Sequence, residues 1–226
     1  MKSWGYSSIM RFRNTEVWGF KHAIRGMRNP KNSWDRLDST FEPEVKLGEN
    51  DLKLCLALIR GGSEHRKFLR QIFVSVDITA PLYWWKEFST YKVGTTANST
   101  STMHKLTSKP ITLEDFELDD FEDIEFDGGE VTAIISYLEQ LRQKYLETKD
   151  KKYWKELIRW LPSGYCQTRT VTMNYENILN MVHQRKNHKL NEWSGKDNDE
   201  LENFISWATS LPYIREFLFV LGERYE

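Results

Sequence analysis

A cationic cluster is encoded between residues 161 and 188, where a β-branched strand carrying Arg169 leads into a helix that ends with His183, Arg185 and His188. A strand and the helix after it can bring their side chains to one ligand, and Arg and His donate hydrogen bonds to phosphate or carboxylate oxygens. The pattern therefore favours an anion-binding site. A basic helix end that only complements the helix dipole is the plainer alternative.

The polar loop 93–106 is a second candidate site because it is rich in Ser, Thr and Asn. Hydroxyl and amide side chains donate well to phosphate, and Lys86, Lys92 and Lys105 can supply positive charge nearby. An ordinary hydroxyl-rich surface loop is the alternative.

The overall composition is that of a globular protein with balanced charge. The 226 residues include 32 basic and 33 acidic side chains, so no global field attracts nucleic acid or a membrane surface. Cys55 and Cys166 lie far apart and lack metal-ligand spacing, which favours unpaired thiols in a cytoplasmic protein. No apolar run has the length of a signal peptide or a membrane helix. We therefore predict neither a nucleic-acid nor a membrane partner.

The standard catalytic motifs are absent from the sequence. It contains no P-loop, no GxGxxG, no GxSxG and no HExxH, which argues against the commonest ATPases, dehydrogenases, hydrolases and zinc proteases. The acidic run 113–127 lacks the ordered spacing of a calcium loop. We expect a solvated segment there, with a divalent-metal site as the less favoured alternative, and we predict no metal ligands.

The hydrophobic pattern predicts the elements that position the candidate sites. Alternation of Ile72, Val74, Val76 and Ile78 predicts a strand with one buried face, and Ala80-Pro81 then starts a helix that extends to about residue 91. The remaining pattern predicts strands over 5–13 and 166–173, and helices over 17–27, 50–59, 64–69, 130–149, 152–160, 175–187, 197–208 and 211–224. We interpret residues 1–226 as a single α/β domain that is rich in helix.

Two stretches of the sequence resemble the flavin-dependent thymidylate synthases. From Leu161-Pro162 the chain continues without a gap through an Arg-bearing strand to Thr172-Met173-Asn174, and then through a helix to Gln184-Arg185. The stretch 78–104 resembles the strand, helix and loop that carry the family signature RHRxxSxxExSxR, including its usual Ala-Pro.

The signature itself is altered at most charged positions. Thr90-Tyr91-Lys92 stand where the family has Arg-His-Arg, and Arg185 is the signature cation that is clearly retained. Uncharged residues or a carboxylate replace the family's other polar and cationic positions, at Glu87, Thr95, Asn98, Thr100, Thr102 and Thr168.

The resemblance implies a helix-rich α/β (α+β) fold around a central, mainly antiparallel sheet. It also implies reductive methylation of dUMP to dTMP with FAD, a reduced nicotinamide (NADPH) and methylenetetrahydrofolate, in a homo-oligomer expected to be a tetramer. In that family no protein side chain attacks the substrate, so no catalytic residue is assigned. The flavin-binding residues would be Tyr91, Lys92, Asn98, His183, Arg185 and His188. The residues binding the pyrimidine nucleotide would be Glu87, Ser99, Thr100, Ser101, Thr102 and Arg169.

Two other functions remain open at the level of sequence. Thr cannot supply the bidentate, charged contacts that Arg makes with phosphate. A non-catalytic scaffold or binding protein that kept the fold but lost the flavin site is therefore one alternative. A different flavin-dependent modification of a pyrimidine nucleotide is the other.

Overall fold

The computed structural model describes residues 10–118, 129–197 and 202–222. Four strands form one antiparallel sheet in the order β1-β2-β4-β3, with bounds β1 Arg11–Trp18, β2 Phe73–Pro81, β3 Thr96–Ser99 and β4 Cys166–Asn174. The helices are α1 Phe20–Met27, α2 Glu49–Arg60, α3 Leu82–Phe88, α4 Thr102–Lys105, α5 Gly129–Thr148, α6 Lys151–Trp160, α7 Tyr175–Arg185, α8 Asn191–Ser194, α9 Phe204–Thr209 and α10 Ile214–Phe219. The predicted fold class, helix-rich with an antiparallel sheet, is confirmed.

The described residues divide into two compact units, and β2 and β4 each contribute residues to both. The first unit contains residues 10–11, 78–90, 98–118 and 129–170, and the second contains 12–77, 91–97, 171–197 and 202–222. The single domain over 1–226 stays a prediction.

Strand β2 follows directly from its alternating sequence. Val74, Val76 and Ile78 are buried while the residues between them are at least partly exposed, which confirms the predicted half-buried strand. Pro81 ends the strand and occupies the N-cap of α3, where the missing N–H of proline costs no helical hydrogen bond.

The first unit has its own core where α5 packs against α6. Leu138 and Leu157 are fully buried in this core, and Phe116 packs with them. The long apolar stripe of α5 explains why both helices match their predicted ranges to within one residue.

Strand β1 and the helix after it differ from the sequence prediction. The strand extends to Trp18 instead of ending at residue 13, and α1 begins at Phe20 instead of residue 17. Gly19 separates the two elements with φ +95, and a Cβ at that position would lie 2.1 Å from the carbonyl oxygen of Gln71. A glycine is therefore required there, and it sets the boundary that helical periodicity alone misplaced.

The chain after α7 forms shorter helices than the sequence predicts. In place of the two long helices predicted over 197–208 and 211–224, the described residues contain α9 and α10, of six residues each, and the four-residue helix α8 precedes them. Tyr213 with φ +63 lies in the left-handed region and delays the start of the last helix to Ile214, while Gly195 with φ +61 ends α8. Residues 198–201, 223 and 224 of the predicted helices, like residues 5–9 of the first predicted strand and 119–127 of the acidic run, lie outside the described residues.

Helix α2 begins differently from the predicted cap at Asn50-Asp51. Gly48 is the N-cap, and the carboxylate of Asp38 accepts hydrogen bonds from the backbone N–H groups of Asn50 and Asp51 at 2.9 and 3.1 Å. The carboxylate of Asp51 itself is fully buried and forms an ion pair with Arg28. The predicted capping residue is thus a buried structural acid.

The described part of the chain contains neither a membrane-spanning helix nor a cluster of metal ligands. No helix in it combines the length and apolar character needed to cross a bilayer. The same residues contain no group of three or more His, Cys, Asp or Glu side chains placed to hold a metal ion, and Cys55 and Cys166 form no disulfide among them.

The carboxylate of Glu139 on α5 should make the stability of the first unit sensitive to acid. It accepts two hydrogen bonds of 2.7 Å from Arg142 and one of 2.9 Å from the backbone N–H of Ile111, and the Arg142 contact is the main cause that lowers the pKa of Glu139 to about 2. Because the pKa is depressed on folding, the stabilisation is present above about pH 4.3 and is lost as the pH falls towards 2. Because solvent screens this carboxylate, its contribution to the free energy of unfolding is about 1–2 kcal/mol. Denaturant unfolding at pH 5 and pH 2.5 should show a smaller pH effect in Glu139→Gln than in the wild type, and equal effects would contradict this assignment.

Candidate functional site

A hydroxyl-lined cavity of about 320 Å³ lies within the first unit. Polar side chains form most of its wall, and it is lined by Thr79, Thr100, Ser101, Thr102, Lys105, Leu106, Ser108, Lys109, Glu114, Asp115, Tyr165, Cys166 and Thr168. Its size is at the lower end of the range for small-ligand sites, about 300–1,000 Å³.

Backbone pairing between the polar loop and β4 builds one wall of this cavity. The N–H of Thr100 donates to the carbonyl oxygen of Thr168 at 2.9 Å, and the hydroxyls of Thr79 and Thr168 lie 2.7 Å apart. Ser101 caps α4 by accepting from the backbone N–H of His104 at 3.2 Å. Hydroxyl groups both donate and accept, so this wall can bind phosphate, sugar or base oxygens.

The charges around the cavity are balanced. Lys109 forms an ion pair with Asp115, which raises the pKa of Lys109. Glu114 adds a second carboxylate, whereas Lys105 has no ion pair among the described residues. Burial raises the pKa of the Tyr165 phenol, and the carboxylate of Asp115 contributes in the same direction. The cavity therefore presents neutral hydroxyl groups together with Lys105 and Glu114, whose opposite charges offset each other.

Arg169 lies outside the cavity wall that its neighbour Thr168 helps to form. Successive side chains of a strand point to opposite faces. The guanidinium carbon of Arg169 lies 4.3 Å from the ring centroid of Trp85, and its Nε donates to Gln167 Oε1 at 3.0 Å. Burial lowers the pKa of Arg169, but an arginine remains charged at neutral pH. The cation is held by a cation–π contact on the other face of β4.

Three of the six predicted nucleotide-binding residues line one cavity. Thr100, Ser101 and Thr102 are on its wall, because they follow one another along the loop that leaves β3. Ser99 is exposed at the end of β3 and Glu87 is half-buried on α3, and neither lines the cavity. The nucleotide role of all six residues stays a prediction.

A second cluster surrounds Arg185 in the other unit, at the end of α7. Its Nε donates to the phenol oxygen of Tyr91 at 2.9 Å, and that phenol lies 3.0 Å from Gln184 Oε1. The guanidinium carbon of Arg185 lies 4.8 Å from the ring centroid of Trp193 and 5.6 Å from that of Tyr91. Trp193 is fully buried, so its ring forms a rigid support that fixes the plane of the guanidinium.

His188 belongs to the same cluster, whereas the other predicted flavin-binding residues are exposed side chains outside it. Its ring centroid lies 6.3 Å from that of Trp193, and its Nδ1 accepts from the backbone N–H of Leu190 at 3.2 Å. Lys92 and His183 are exposed side chains of the same unit, and Asn98 is exposed on β3 in the first unit. The structure thus brings together Tyr91, Arg185 and His188 around Trp193; their flavin role stays a prediction.

Sequence reasoning did not assign several residues that build these two clusters. Nothing local in the sequence shows that the ring of Trp193 would lie under Arg185. Lys109, Asp115 and Tyr165 come from distant segments and meet the loop only through tertiary packing. Thr168 could have been found from the sequence, since it occupies the position of the family's strand arginine. In the structure it lines the cavity.

Solved structures of flavin-dependent thymidylate synthase ThyX from Helicobacter pylori, containing FAD and dUMP, are similar to this chain over most of its length. One aligns with a TM-score of 0.63 at 17% sequence identity, over 95% of this chain and 100% of its own. Another aligns with a TM-score of 0.59 at 17% identity, over 90% of this chain and 95% of its own. No family model matches the sequence, and no curated protein matches it.

The likeness establishes a ThyX-like fold for this chain. At 17% identity it is the fold that is shared, because function depends on the site residues and not on the architecture.

Proposed function

We propose that this protein is a divergent flavin-dependent thymidylate synthase-like enzyme. It binds FAD and a pyrimidine nucleotide and carries out the reductive methylation of dUMP to dTMP. The observation that carries this proposal is Arg185, an oriented cation between Tyr91 and Trp193, at the end of a helix in a ThyX-like fold.

The Arg185 cluster fits a group such as the pyrophosphate of FAD. Its Nε donates to Tyr91, which holds the guanidinium in place, and a planar guanidinium can form bidentate contacts with phosphate oxygens. Orientation by Trp193 reduces the entropy that a free arginine side chain loses on binding. Lys92, His183 and His188 would add positive charge or donors for the same anion.

The hydroxyl-lined cavity is the proposed site of the nucleotide. Ser101 and Thr102 would donate to phosphate or sugar oxygens, and Lys105 would contribute one charge. The hydroxyl of Thr100 donates to the carbonyl oxygen of Thr168 at 3.2 Å and would accept from a sugar hydroxyl. The tasks of this chain are to bind, to orient and to exclude water, since bound reduced flavin supplies the hydride and methylenetetrahydrofolate supplies the one-carbon unit. NADPH is the proposed reductant of the flavin, and a cytoplasmic homo-oligomer, a tetramer, is the proposed functional form.

Flavin binding and its coupling to dUMP provide the test of this function. We expect purified protein to bind FAD with a change in the flavin absorbance spectrum, and dUMP with methylenetetrahydrofolate to speed the oxidation of the reduced flavin. Product formation is followed as dTMP by chromatography. A protein that binds neither FAD nor dUMP in titrations would exclude the proposal.

A specific observation favours one other function, a scaffold that has lost catalysis. The cavity has two carboxylates, at Glu114 and Asp115, and Thr168 stands where the resemblance places an arginine. A dianionic phosphate would thus meet about as much negative as positive charge there. FAD binding without any effect of dUMP on flavin oxidation would favour this scaffold over the enzyme.

A further inference from the structure

A second, cationic cavity lies in the other unit, between the loop after α1 and the outer face of α2. Its volume is about 610 Å³, well within the range of small-ligand sites. The loop contributes Lys31, Asn32 and Arg36, and the helix contributes Asn50 and Lys53. The cavity shares no lining residue with the hydroxyl-lined cavity or with the Arg185 cluster.

The charge of this cavity is positive in a protein whose net charge is −1. Lys31, Arg36 and Lys53 are exposed and form no ion pair within residues 10–118, 129–197 and 202–222. Asp35 supplies the one unpaired carboxylate of the wall. Three cations against one carboxylate produce a local field that attracts a ligand carrying several negative charges.

A buried ion pair fixes the floor of the cavity. The guanidinium of Arg28 is only 3% exposed; its Nε donates to Asp51 Oδ1 at 2.6 Å and its Nη1 donates to the carbonyl oxygen of Ser33 at 3.2 Å. Asp51 also accepts from the backbone N–H and the hydroxyl of Ser39, at 3.0 and 2.6 Å. The loop that carries Lys31 and Arg36 is thus anchored to α2, and a ligand would not have to order it on binding.

We propose that this cavity binds a small phosphorylated polyanion, of the class of nucleoside triphosphates. Arg36 can form bidentate contacts with phosphate oxygens, and Lys31 and Lys53 add point charges on both sides of the opening. Asn32 and Asn50 have amide donors for further oxygens. The volume accommodates a phosphate chain together with a sugar, whereas a single phosphate would use only part of it. The site is additional to the proposed flavin and nucleotide sites.

Calorimetric titration with inorganic tripolyphosphate and with ATP at low salt tests this proposal. We expect saturable binding of both, and a loss of affinity of about tenfold or more in Arg36→Glu and in Lys53→Glu, since each reversal removes a charged contact and adds repulsion. Lys21→Glu is the matched control, because this exposed residue at the start of α1 is outside the cavity and undergoes the same charge change. Circular dichroism confirms that each variant is folded.

Several outcomes overturn the proposal, and they are separable from failure of the flavin function. The site is excluded if the wild type binds neither probe, or if Lys21→Glu weakens binding as much as Lys53→Glu. Binding of a single-stranded oligonucleotide without binding of ATP would indicate a nucleic-acid surface instead. FAD could also displace tripolyphosphate and lose its own binding in Arg36→Glu. That result would make this cavity part of the flavin site and would refute a separate polyanion site.

Discussion

Arg185→Ala is expected to weaken FAD binding by roughly ten- to a hundredfold. A hydrogen bond to a charged group contributes about 1.5–3 kcal/mol, and each 1.4 kcal/mol corresponds to a factor of ten in affinity. The guanidinium is held 4.8 Å above Trp193 and bonded to Tyr91, so truncation removes a cation that is already oriented. FAD titration followed by absorbance or flavin fluorescence gives the dissociation constant directly.

Arg185→Lys separates charge from orientation. A lysine keeps the positive charge but loses the planar group that lies over Trp193 and the fixed set of N–H donors. We therefore expect Arg185→Lys to recover only part of the affinity that Arg185→Ala loses.

Lys186→Ala is the matched control for both variants. It removes the same charge one residue further along the chain, at the C-cap of α7. We expect FAD affinity to change less than twofold or threefold. If Arg185→Ala changed FAD affinity no more than this control does, the flavin role of the cluster would be wrong.

The regular elements were predictable wherever one periodicity dominates the sequence. The alternation from Ile72 to Ile78 specifies β2, and the stripe of α5 specifies that helix, because each buries one face against its own core. Gly19 and Tyr213 show why boundaries were harder. Their positive φ values depend on contacts with residues distant in sequence or on a reversal of the chain direction. No local sequence pattern encodes them.

The candidate site was predictable to the extent that it is local in sequence. Thr100, Ser101 and Thr102 reach one cavity wall together because they are consecutive in one loop. Arg169 shows the limit of such reasoning. The sequence grouped Arg169 with these three residues, but alternation along β4 places Thr168 on the cavity wall and Arg169 against Trp85.

Asp51→Leu is expected to destabilise the protein by about 3–5 kcal/mol, because it leaves the buried guanidinium of Arg28 without its counter-charge. Asp51 is fully buried and also accepts from the backbone N–H groups of Asp38 and Ser39, at 3.1 and 3.0 Å. For a chain of this length the loss corresponds to a fall in Tm on the order of 10 °C. Thermal and denaturant unfolding measure it, and a loss below about 1 kcal/mol would contradict the structural role of the pair.

The double variant Arg28→Met with Asp51→Leu distinguishes an uncompensated charge from lost packing. Replacing both members of a buried ion pair by apolar residues often restores stability, since no charge is left desolvated. Here we expect only partial recovery, because the backbone N–H groups of Asp38 and Ser39 would still lack their acceptor. Asp35→Leu is the surface control and should change stability by at most about 0.5 kcal/mol. Since Arg28 and Asp51 anchor the loop that carries Lys31 and Arg36, the double variant should also bind tripolyphosphate more weakly than the wild type, even though every exposed cation of the cavity is retained.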